Sequence, residues 1–113
     1  MNTERLLKLA DFLDQLPEEK LYMDRWSHDC GAAGCALGWA CTIPEFIEAG
    51  LRFNEEKCPV YNNSYGYGAA EEFFGIPDAL VIFSPYAYGP YWGTKVAPKE
   101  VASKIRRLVD DNS

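Results

Sequence analysis

The sequence predicts a mainly α protein: a single domain of short helices around a central helix of small residues, with a minor β-hairpin. Three observations carry this. Apolar residues recur at three- and four-residue spacing near both ends of the chain. Between them lies an uncharged Gly/Ala/Cys segment, Gly31 to Cys41. The chain has 113 residues, 48% of them hydrophobic, enough for one core and too short for two.

The first helix is expected over Thr3 to about Gln15, with Leu6, Leu9, Ala10, Leu13 and Leu16 as its stripe. Asn2 or Thr3 can cap it, and Pro17 ends it. Glu18-Glu19-Lys20 then reads as an exposed link, Leu21-Tyr22-Met23 as an extended piece, and Asp24 to Ser27 as a turn around a buried indole. Gly31 to Cys41 is expected to be a buried helix. Gly costs up to about 1 kcal/mol at each interior helical site, so such a helix must gain from packing. Gly34 and Gly38, four apart, would let a neighbouring backbone cross closely.

Thr42-Ile43-Pro44-Glu45 opens a short helix with Pro in its first turn, and Gly50 supplies a left-handed stop. Leu51 to Phe53 and Pro59 to Tyr61 are expected to pair as a hairpin about Asn54 to Lys57, with Pro59 confining its strand to an edge. Asn62 to Gly68 reads as a loop. Ala69 to Phe74 is a helix closed by Gly75, and Pro77 to Phe83 is another. Ser84 to Gly93 is a second loop. Pro98 to Val109 is the last helix, with Val101, Ile105 and Leu108 as its stripe. No internal repeat or domain boundary interrupts this order.

The formal net charge is −6. Residues 1–60 carry eleven acids against six bases, and residues 61–113 six against five. An acidic chain of this kind is not a general nucleic-acid binder, because phosphate neutralisation needs clustered Lys and Arg. No apolar run reaches the roughly 18 residues of a membrane span. The N-terminus lacks the basic start and apolar stretch of a signal peptide, so the expected location is the cytoplasm. Most downstream bases fall in the last helix, at Lys99, Lys104, Arg106 and Arg107. They read either as a solvated face whose cations favour the helix C-terminus or as a small anion-binding patch.

Several blocks are familiar in combination. Leu9-Ala10-Asp11-Phe12-Leu13 and Leu16-Pro17 precede Cys30-Gly31-x-x-x-Cys35-x-x-Gly38-Trp39-Ala40. Ala69-Ala70-x-x-Phe73-Phe74-Gly75, Leu80-x-x-Phe83 and Val101-Ala102-x-x-Ile105-Arg106 follow. Together they resemble a set of small proteins of bacteria and tailed phages that share a Cys-Gly-Thr-x-x-Cys-x-x-Gly-Trp/His-Ala block and a Phe-Phe-Gly block. Ala32 stands here where Thr is commoner, and Cys41 and Cys58 lie outside the shared block. The resemblance implies a compact helical domain and a phage-type setting, in which small acidic proteins often block a host defence.

Four cysteines, Cys30, Cys35, Cys41 and Cys58, are candidates for chemistry. Free buried thiols are the plainest reading in a cytoplasmic chain. A Cys30–Cys35 disulfide and a metal site from Cys30, Cys35, Cys41 and His28 are alternatives, the latter weakened by the lack of a second close Cys pair. Cys35 near the start of a helix, with His28 and Cys30, could instead serve a cysteine-dependent enzyme or redox protein. The carboxylates Asp24 and Asp29, and Glu71 and Glu72, lack spacing that marks acid–base catalysis.

Seven of the sixteen aromatic residues fall in the two loops: Tyr61, Tyr65 and Tyr67, then Tyr86, Tyr88, Tyr91 and Trp92. Rigid amphipathic rings among Gly, Asn, Ser and Pro make an adaptable recognition surface, or equally a lid over a small core. Arg25, Arg52 or Lys95 could pair with an anionic group beside them. The functional expectation is a small non-enzymatic binding protein that blocks a host factor or a nucleotide-like ligand through these loops. Its partner would be a protein or a small flat anionic ligand. No cofactor or metal is expected, and a homo-oligomer is compatible with the sequence.

Overall fold

A computed structural model describes residues 1–21, 35–84 and 96–111. Arg25, His28, Cys30, Gly34, Tyr86, Tyr88, Tyr91, Trp92 and Lys95 lie outside these residues. The order is α1 (Thr3–Asp14), a 3-10 turn (Glu18–Lys20), α2 (Ala36–Ala40), α3 (Pro44–Glu48), β1 (Arg52–Phe53), β2 (Pro59–Tyr61), β3 (Ser64–Tyr65), α4 (Tyr67–Phe74), α5 (Leu80–Phe83) and α6 (Pro98–Asp111). The mainly α architecture with a minor β element is as the sequence predicts.

α1 forms where its stripe demands. Leu6, Leu9, Ala10 and Leu13 are buried, and the Asn2 side chain accepts the Arg5 N–H at 3.0 Å. It packs chiefly against α6, whose buried face is Val101, Ala102, Ile105 and Val109. The expected Leu108 is only partly buried and borders this face. α6 runs on to Asp111, so its last turn holds no cation, and a favourable charge–dipole arrangement there does not arise. Instead Arg106 Nη2 donates to Asp11 Oδ1 at 2.9 Å and Asp14 Oδ2 at 2.6 Å, tying α6 to α1.

That hydrogen bond and the guanidinium charge hold the Asp14 carboxyl below its ordinary pKa. A carboxylate with a lowered folded pKa stabilises the fold above its unfolded pKa, and this is lost as pH falls through the folded value. Stability is therefore expected to drop below about pH 4, with Asp14→Asn removing part of that dependence; the pair is surface-lying and worth at most about 1 kcal/mol. Urea unfolding at pH 3 and pH 6 checks it: equal pH dependence in both proteins contradicts the role given to Asp14.

Two sequence expectations are corrected in the middle of the chain. The helix read over Gly31–Cys41 is α2, Ala36–Ala40, within the described residues, and Cys35 is its N-cap in extended conformation rather than a first-turn residue. The helix read from Pro77 is α5, four residues from Leu80, opened by an Asp78 carboxylate that accepts the Leu80 N–H at 3.0 Å.

The β element has three antiparallel strands in the order β1-β2-β3, so Pro59 begins the central strand instead of lying on an edge. It is tolerated at the first residue of a strand, where its missing N–H costs little, while its carbonyl accepts the Gly66 N–H at 2.8 Å. The segment read as a 62–68 loop is a two-residue turn, a strand and the start of α4. Asn62 takes φ +53, a conformation Asn tolerates, and lets Tyr61 pair with Ser64. Glu72 on α4 accepts hydrogen bonds from Asn62 Nδ2 and Ser64 Oγ, fastening the turn to the helix. Those two bonds hold the Glu72 carboxyl below its ordinary pKa.

The elements close on one apolar cluster centred on Phe46, Phe73, Phe74 and Phe83. Phe73 meets Phe46, Phe74 and Tyr61 edge-on at centroid distances of 4.9, 5.0 and 5.0 Å. Arg5 lies over the Phe73 ring at 4.1 Å and donates to the Phe73 carbonyl at 2.8 Å.

Candidate functional site

The cysteines are part of the core. Cys35 is 1% exposed, and its Sγ accepts the Gly38 N–H at 3.4 Å, capping α2. Cys41 is buried just after α2, and burial, with Cys35 and Cys58 as lesser neighbours, pushes its thiol up to about 12. A thiol at that value is protonated at neutral pH and is a poor nucleophile. Cys41 and Cys58 are free thiols. Cys58 is half-buried in the turn before β2. Among the described residues, no group of three or more His, Cys, Asp and Glu side chains is placed to hold a metal ion. His28 and Cys30, the remaining members of the thiol and metal proposals, are outside the described residues.

Alkylation by iodoacetamide at pH 8 is therefore expected to spare Cys35 and Cys41 in the folded protein and reach both in urea, with Cys58 intermediate. Site-resolved mass spectrometry reads this directly. Rapid native modification of Cys41 would contradict its burial.

The first aromatic group divides by role. Tyr61 packs edge-on against Phe73 and lies under the Arg5 guanidinium at 5.9 Å. Tyr67 opens α4 half-buried, and burial together with the nearby Cys35 raises its hydroxyl pKa. Only Tyr65 of the three faces outward, 72% exposed on β3. Tyr61 and Tyr67 thus serve the lid role, and Tyr65 alone keeps a free ring face. Arg52, the one described candidate for an anion partner, is exposed on β1. Glu71 and Glu72 are structural: Glu71 Oε2 accepts the Ala79 N–H at 2.9 Å, while Glu72 holds the β2–β3 turn.

The last helix keeps a shallow depression among Lys99, Glu100, Ser103, Lys104 and Arg107. Arg106 is spent on Asp11 and Asp14, which leaves a patch smaller than the sequence suggests.

The larger feature was not legible in the sequence. A groove of about 970 Å³ runs between α1 and α3. Its apolar lining is Leu7, Phe12, Ile43, Pro44 and Phe46, and its charged lining is Glu4, Arg5, Lys8, Asp11 and Glu45. Positions 4, 7, 8 and 11 form the outer face of α1, opposite the buried Leu6, Leu9 and Leu13. Lys8 Nζ bridges to Glu45 Oε1 at 2.7 Å across the groove, both side chains exposed. Leu7 is 39% exposed in the groove, whereas Ile47 on α3 and Leu80 and Val81 on α5 are exposed outside its lining. Phe12 joins the groove to the core through Trp39, ring centroids 6.0 Å apart, and the Trp39 indole N–H donates to the Lys20 carbonyl at 2.9 Å.

No family model, no curated protein and no solved structure matches the chain. Among the described residues, no helix is long and apolar enough to cross a membrane.

Proposed function

We propose that the protein acts by binding another protein, with the α1–α3 groove as its recognition surface. The observation that carries this reading is the groove itself: an open channel whose apolar lining is Leu7, Phe12, Ile43, Pro44 and Phe46, with Leu7 exposed on α1. The chemistry-bearing residues that are described have other work. Cys35 caps α2, Glu71 and Glu72 fasten loops, and Tyr61 and Tyr67 cover the core.

The reading shifts the recognition surface from the first aromatic segment to the groove and keeps Tyr86, Tyr88, Tyr91 and Trp92 as a sequence-based second surface. The resemblance to small bacterial and tailed-phage proteins supplies the proposed setting, in which the bound protein is a host factor and binding blocks it. The test is quantitative capture of partners from host lysate by the wild-type chain, by Leu7→Arg/Pro44→Arg and by Cys35→Ala, each checked for a native circular dichroism spectrum. The groove variant is expected to lose capture and the thiol variant to keep it. Capture that survives the groove change and fails with Cys35→Ala overturns the reading in favour of thiol chemistry.

A further inference from the structure

We draw no further inference here: the strongest candidate, the outward cross-strand row of Arg52, Val60 and Tyr65 on the three-stranded sheet, offers a single exposed cation and a single exposed ring, and nothing in the structure shows what covers it.

Discussion

Phe73→Ala is expected to lower stability by about 3–5 kcal/mol, the usual cost of deleting a fully enclosed ring. Phe73 is the hub of the aromatic cluster, with Phe46, Phe74 and Tyr61 edge-on around it and the Arg5 guanidinium over its face. It is 1% exposed and draws α1, α3, β2 and α4 onto one point. Removing the ring leaves a cavity bounded by rigid neighbours and deprives Arg5 of its stacking surface, so the site collapses poorly. A domain of this size has about 5–15 kcal/mol in total, and the loss corresponds to roughly 10–20 °C in melting temperature. Urea denaturation with an unchanged m-value measures it. A loss under about 1 kcal/mol would mean that the cluster is not the centre of the fold.

Gly75→Ala carries the second large effect, about 2–3 kcal/mol in total, of which roughly 1–2 comes from forcing an L side chain into left-handed backbone. Gly75 ends α4 at φ +66 and ψ +39. A Cβ there would lie 3.2 Å from the Asn2 nitrogen and 3.3 Å from the Met1 Cα, backbone atoms that cannot swing away as a side chain can. The same Asn2 nitrogen donates to the Phe74 carbonyl at 2.8 Å, and the Asn2 side chain caps α1. The substitution thus pushes the start of α1 off the end of α4. Gly75→Asn separates the two contributions, since Asn tolerates the dihedral and still brings the crowding Cβ. An Ala variant as stable as wild type would contradict the close approach of the N-terminus to α4.

What could be read from the sequence follows the strength of local patterns. α1 and α6 are long and strongly striped, so their existence and buried faces were legible, and the Gly75 stop was explicit. α2 was harder. Gly31-Ala-Ala-Gly offers no side-chain pattern to place a boundary, and the start falls at Cys35, a residue type seldom thought of as a cap. The Asn62-Asn63 pair looked like loop composition, although two residues that tolerate positive φ between Tyr61 and Ser64 are also a hairpin signal.

The aromatic excess shows the same limit. Tyr61 and Tyr67 are indistinguishable from Tyr65 by sequence, and only packing turned two of them inward. The groove was the least legible feature. Leu7 and Pro44, which line it from its two sides, are far apart in sequence, and single exposed apolar residues are ordinary on any surface. Their meaning comes from α1 and α3 lying together, a tertiary fact that the Lys8–Glu45 bridge marks in the structure and nothing marks in the chain.

The central claim is that the α1–α3 groove is where this protein meets its partner. Hydrogen–deuterium exchange of the captured complex against the free chain tests it most directly. Slowed exchange is expected at residues 4–12 and 42–48, with residues 61–67 unchanged. Slowed exchange confined to 61–67 or 86–92, with 4–12 as fast as in the free protein, would contradict it.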